Sequence, residues 1–289
     1  LTSLDSNYSR TKTKVFREII DVTPGSNIIY NSPTAVNACQ KISFKDDIHI
    51  SVAPLDFLST SNTKQNVHRE GTPVKIVTVG RFVDFKVCTI LAMLVTLDNL
   101  ISSGKSFEYD IYGSGPEEHQ IREKIELLRN KEKFRIMGEL PPAKLADVIS
   151  LYDVFFGMGT AVVQAAMLKV PSIIAIQYEQ DDVCYGYFHK HDHATNPMFG
   201  DRTEGVPTER ISNILDHFYS TNNEEKNAIG EACYQATDSY HPGKVIAKFE
   251  EISANAKIIN YRKVSFFDLL FIAIEMRISR LIGIENIQA

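Results

Sequence analysis

The chain has 289 residues, with 31 Lys and Arg against 36 Asp and Glu, a net charge of −5 and 44% hydrophobic residues. That apolar share excludes a disordered chain, and the acidic balance argues against a nucleic-acid binder, which needs a concentrated basic face. Cys39, Cys88, Cys184 and Cys233 lie far apart without a CxxC pair, so a zinc finger is not expected and a reducing, cytoplasmic setting is.

The chain opens at Leu1 with no charged-then-apolar leader, and no run approaches ~18 uncharged apolar residues, so no bilayer-spanning segment is expected. In chain order, Lys12–Asp21 has a short helical pattern, Asn27–Asn31 reads as a strand, Pro33–Gln40 as a helix and Ile48–Val52 as a strand. Ser59–Pro73 is polar, lacks periodicity and ends in Gly and Pro, which marks a linker. The βα units before it are too few to build an independent doubly wound domain.

Beyond the linker the alternation is regular. Strands are predicted near Lys75–Val79, Glu108–Tyr112, Phe134–Met137, Val154–Phe156 and Ser172–Ile176. Helices are predicted over Val87–Ser102, Pro116–Asn130, Ala143–Leu151 and Thr160–Leu168. Such alternation predicts an α/β fold, a doubly wound parallel sheet covered on both faces, with the turns after the strands on one edge.

Those turns carry the chemistry. Gly80-Arg81 closes the first strand, and Lys86 follows at the start of a helix. Arginine offers a planar fork to two phosphate oxygens, and lysine a mobile point charge. Gly113-Ser114-Gly115-Pro116 ends the second strand, with Pro116 suited to a first helical turn. Gly157-Met158-Gly159-Thr160 ends the fourth, and Thr160 can cap the helix after it, whose free N–H groups favour an anion. Each turn alone reads as a tight turn or close packing; together they predict one cradle for a phosphorylated ligand.

His189-Lys190-His191-Asp192-His193 would put three histidines on one face of an extended strand, but the polar surroundings make a solvated loop the default and no metal site is predicted. Val264–Ile284 has helical apolar spacing through Phe267, Leu270, Phe271, Ile274, Ile278 and Leu281. It reads as a helix packed on its own protein or, with Arg277 and Arg280, as an interfacial membrane helix. Neither a G-x-x-x-x-G-K-[ST] loop nor an Asp-x-Asp pair occurs, which argues against a nucleotide hydrolase and against a metal-bound diphosphate.

VGRF followed by Lys86, then IYGSGP, FRIMGELPPAKLADVISLYDVFF and GTAVVQAAMLKVPSIIAI, resemble in order and spacing the carboxyl-terminal donor domain of retaining glycosyltransferases of family 4. The likeness covers about Val74–Tyr240 and implies a GT-B fold of two Rossmann-like domains. It divides the chain into a remnant of the N-terminal acceptor domain (1–58), a linker (59–73), a nucleotide-sugar domain (74–255) and a C-terminal amphipathic helix (256–289). By position, the resemblance gives Arg81 and Lys86 the donor diphosphate and a catalytic role. Gly80, Gly113, Gly115 and Gly159 form the turns around the donor, backbone N–H groups near Thr160 and Ala161 meet its phosphates, and Met137 and Gly138 border its base. Gln164 stands where the family has a carboxylate on the ribose, and Phe156 where it has a first glutamate.

The resemblance thus implies a metal-independent glycosyltransferase without a cofactor. It would move a sugar, with retention, from a nucleoside-diphosphate donor to a glycan or lipid-linked acceptor in bacterial O-antigen or capsule synthesis. The enzyme would be cytoplasmic or peripheral on the inner face of the membrane. Phe156 and Gln164 leave open a degenerate binding or scaffold domain, and the fold leaves open a nucleotide-sugar epimerase.

Overall fold

The computed structural model describes residues 20–21, 23–30, 36, 49–50, 71–191 and 197–257. The chain divides into two compact units, Leu1–Ala53 with Val245–Ala289, and Pro54–Lys244. Within the first, strand β1 (Ile29–Tyr30) runs parallel to β2 (His49–Ile50). Asn27 ties the early and late segments together there: its Nδ2 donates to the Lys257 carbonyl (2.7 Å), and its Oδ1 accepts from the Lys257 N–H (2.9 Å). Most of the helix expected over Lys12–Asp21, most of that over Pro33–Gln40, the linker up to Glu70 and the tail Val264–Ile284 lie outside the described residues.

The second unit holds the sheet. Its strands are β3 (Val74–Val79), β4 (Phe107–Tyr112), β5 (Phe134–Gly138), β6 (Val154–Gly157), β7 (Ser172–Ile174) and β8 (Gly186–Tyr187). Their order is β5-β4-β3-β6-β7-β8, parallel except that β8 runs antiparallel to β7. The doubly wound sheet expected from the alternation is therefore observed, with β8 added; two residues give β8 no periodicity to read.

Helices α1 (Asp84–Ser102), α2 (Glu118–Glu126), α3 (Leu145–Ile149), α4 (Thr160–Met167), α5 (Ile211–Ser220) and α6 (Asn223–Gln235) belong to this unit, and α7 (Pro242–Ala254) falls mostly in the first. The path β3→β4→β5 steps one way across the sheet and β6→β7 the other, so right-handed crossovers put α1 and α4 on opposite faces. On one face α1 packs against α2 and α5, and on the other α4 packs against α6. By length and composition α1 is apolar enough to cross a membrane, yet Val87, Ile90, Met93, Leu94 and Leu97 are buried in the core. Its apolarity is spent on the sheet.

Helix ends shift from their predicted places where tertiary hydrogen bonds intervene. Pro116 stays outside α2, because Glu117 N–H donates to the Phe82 carbonyl (3.1 Å) and holds the chain in a turn. At the other end Asn130 is captured by Asp98, whose Oδ1 accepts from both its N–H and its Nδ2 (2.9 Å each). The helix predicted over Ala143–Leu151 divides into a 3-10 turn at Pro142–Lys144 and the short α3.

The turns after β3 and β4 are fastened to each other. Phe82 N–H donates to the Ser114 carbonyl (2.8 Å), and the Phe82 ring is fully buried beneath. A Cβ on Gly113 would sit 1.8 Å from the Gly80 carbonyl oxygen, and one on Gly115 2.4 Å from that of Phe82. Backbone meets backbone here, so nothing can yield. Gly115→Ala is expected to destabilise the chain by about 3 kcal/mol, whereas Gly104→Ala, at φ +96° in open space, costs about 1 kcal/mol. Urea unfolding midpoints measure the pair; equal shifts would contradict the contact.

Candidate functional site

In a doubly wound sheet, ligands bind outside the strands' carboxyl ends where the strand order reverses. Here that point lies between β3, the first strand laid down in this sheet, and β6, the first strand of the return. A small crevice of about 10 Å³, room for about one water, marks that place and is lined by Thr78, Val79, Gly80, Arg81, Lys86, Thr89, Ile90, Gly157 and Met158, so a larger anion would lie across its mouth. The ends of β3 and β6 and the first turns of α1 thus share one crevice.

Two cations stand in it. Lys86 lies in the first turn of α1, half-buried, with its side chain passing close over Gly80, where an added Cβ would be 3.4 Å from Nζ. Arg81 is exposed beside it. Among the described residues neither has a carboxylate partner within ion-pair distance. Burial, and secondarily the Arg81 charge, lower the Lys86 pKa from its ordinary value. An anion bound between the two would relieve both penalties.

A buried hydroxyl ties the wall beneath the cations together. Thr78 Oγ1 donates to the Phe156 carbonyl (2.5 Å) and lies 2.7 Å from the Tyr109 hydroxyl, joining β3 to β6 and β4. Burial raises the Tyr109 pKa, so its hydroxyl stays neutral. Sequence reasoning missed Thr78; its place two residues after Ile76 on a strand already put it on a core-facing row.

The remaining expected residues lie along the same edge. Gly113 donates its N–H to the Gly138 carbonyl (2.8 Å), and the Ser114 hydroxyl donates to Glu139, so the turns after β4 and β5 are joined. Met137 is exposed near the end of β5. Thr160 is the first helical residue of α4 and does not cap it. Gly159 is the N-cap, at φ +76° and ψ −154°, and its own N–H donates to the Met198 carbonyl. The N–H groups of Thr160 and Ala161 have no acceptor among the described residues, and no side chain caps them. Gln164, half-buried on α4, has no hydrogen-bond partner there either.

Phe156 is buried within β6 and belongs to the core, so no substitution of a charge at this position reaches the cleft without unpacking the sheet. The histidine run separates in space. His189 stacks on Tyr187 (ring centroids 5.7 Å) with Nδ1 3.4 Å from Cys233 Sγ, while His191 Nε2 is 2.7 Å from the Tyr185 carbonyl oxygen. Asp192 and His193 lie outside the described residues, among which no group of three metal-ligating side chains converges.

No family model and no curated protein matches this sequence. Solved structures do match the fold. A glycosyltransferase from Rickettsia africae ESF-5 superposes with a TM-score of 0.59 at 13% identity, over 87% of this chain and 68% of that one. A mutant of S. aureus TarM in complex with fondaparinux, alpha-GlcNAc-glycerol and UDP gives 0.57 at 13% identity, over 86% of this chain and 48% of that one. The apo lipopolysaccharide outer core galactosyltransferase WaaB gives 0.53 at 12% identity, over 78% and 61%. The neighbours are GT-B glycosyltransferases, and the likeness establishes the α/β fold. This chain spans about half the length of TarM.

The lowered pKa of Lys86 sets a pH dependence for anion binding. Its ammonium gives up its proton at a lower pH than an ordinary lysine, whose value is 10.5, so pyrophosphate affinity should fall as pH is raised toward 10.5. Lys86→Arg should hold affinity steady there, because guanidinium stays protonated. Calorimetric titrations at stepped pH read the difference, and identical profiles for the two proteins would remove Lys86 from the site.

Proposed function

We propose that this chain supplies the donor-binding half of a glycosyltransferase, holding a nucleoside-diphosphate sugar with its diphosphate across the mouth of the crevice between β3 and β6. The observation that carries this reading is the pair Arg81 and Lys86, standing at the reversal of strand order with no carboxylate partner among the described residues. The fold neighbours support it, one of them in complex with UDP.

In this reaction the bond between the sugar's anomeric carbon and the distal phosphate oxygen breaks with its electron pair on that oxygen, the anomeric carbon bonds to the acceptor's hydroxyl oxygen, and the hydroxyl proton passes to the departing diphosphate. Arg81 and Lys86 offset the charge that develops there, and they do so best in a cleft poor in water. The free N–H groups of Thr160 and Ala161, at the positive end of α4, add to the same field. Gln164 offers its amide oxygen to the ribose hydroxyls, more weakly than a carboxylate. With side-chain cations in this role the donor needs no metal. Retention of configuration, a glycan or lipid-linked acceptor and a part in bacterial surface-polysaccharide synthesis on the cytoplasmic face of the membrane complete the reading. They rest on the sequence resemblance. Phe156 in the core and the carboxylate-free α4 favour a second reading, a domain that binds nucleotide without turning it over.

Titrating UDP and GDP into the chain tests the proposal. At least one should bind, unaffected by EDTA, and Arg81→Ala or Lys86→Ala should each weaken it about tenfold or more, the worth of one charge-assisted hydrogen bond. Absence of binding by both nucleotides, or binding indifferent to both substitutions, would overturn it.

A further inference from the structure

The turn after β7 holds an aromatic residue that its backbone does not require. Tyr178 has φ +58°, the left-handed region, and its side chain is 59% exposed. A β-carbon is crowded in that conformation, where glycine or asparagine would be at ease. The turn is fastened on both sides without help from the ring. Gln177 N–H donates to the Gly200 carbonyl and its Nε2 to the Phe199 carbonyl (2.8 Å each), while Glu179 Oε1 accepts from the N–H groups of Gln180 and Asp181 (3.1 Å each).

The ring is nevertheless held in place. Tyr178 N–H donates to the Phe85 carbonyl (2.9 Å), and its hydroxyl donates to Asp84 Oδ2 (3.3 Å). Its ring meets that of Phe85 at a centroid distance of 6.1 Å and a tilt of 55°. The Phe85 ring is in turn 5.9 Å from Lys86 Nζ. Tyr178 is thus tied to the first turn of α1, the turn that carries the diphosphate cation. An exposed ring adds little to stability, so neither packing nor the turn accounts for a strained tyrosine here.

We propose that Tyr178, backed by Phe85 and oriented by Asp84, is a specificity-determining wall against which the glycosyl ring of the donor stacks. The inference rests on the reading of the crevice as a nucleoside-diphosphate-sugar site and names the group that reads the sugar. Sugar rings present faces of C–H groups that settle on aromatic faces, and the phenol edge adds a polar contact. Position favours sugar over base. Along the sheet edge the crevice between β3 and β6 lies between the β5 turn, which the resemblance puts beside the base, and the β7 turn that carries Tyr178.

The test compares, in the full chain, the affinity of UDP and GDP with that of UDP-GlcNAc, UDP-glucose, UDP-galactose and GDP-mannose. Tyr178→Ala should weaken the best nucleotide sugar about fivefold and leave its parent nucleotide within about twofold, as an aromatic contact to the sugar alone would do. Tyr178→Phe should keep most of that affinity. Tyr178→Gly relieves the backbone strain, so it should melt no lower than the parent while losing the same affinity for sugar; this separates a lost wall from a damaged fold. Unchanged nucleotide-sugar affinity in the Ala and Gly variants would overturn the inference, as would an equal loss for the parent nucleotide, which would mean that the base meets the ring. A parent chain that binds neither nucleotide refutes the underlying site instead.

Discussion

Two like charges placed side by side, one of them half withdrawn from water, repel each other and lose hydration, and proteins ordinarily answer with a carboxylate. At the crevice between β3 and β6 the answer is missing among the described residues: Arg81 and Lys86 face the opening unneutralised, and the lowered pKa of Lys86 registers the cost. Elsewhere in the same unit, carboxylates are placed where they are needed. Arg135 is paired with Asp110 at 2.6 Å, and Lys190 with Glu209 at 2.8 Å. The crevice is the place where positive charge is left for something that arrives from outside.

The rest of the unit keeps that arrangement stiff. Gly113 and Gly115 let the backbone after β4 meet that after β3 at distances no side chain would tolerate, and Phe82 fills the space below them. The Thr78 hydroxyl spans β3 and β6, so the two strand ends that frame the crevice do not part at their tips. Cations and amides already held in place need no rearrangement to meet an arriving anion. Tyr178 extends the same logic along the edge, since it too is held by its surroundings in a conformation it would not choose.

Much of this was legible in the amino-acid sequence because the strands are buried on both faces and read as β-branched and aromatic runs that stop at glycine. Arg81 and Lys86 could be singled out for that reason, and the structure places them in one cleft. What stayed hidden depends on partners distant in sequence. Asp98 ends α2, the Met198 carbonyl makes Gly159 rather than Thr160 the N-cap of α4, and Cys233 and Tyr185 draw His189 and His191 to different neighbours. Tyr178 left no trace at all, because a positive φ at a tyrosine is imposed by the surrounding turn and not by its own propensity.

The account is tested most directly by crystals of the full chain grown with pyrophosphate or UDP. It predicts phosphate density bridging the Arg81 guanidinium and Lys86 Nζ, within reach of the Thr160 and Ala161 amides. Density elsewhere with this crevice vacant, for example in the groove between α2 and β5 lined by Arg122, Leu127 and Ile136, would contradict it.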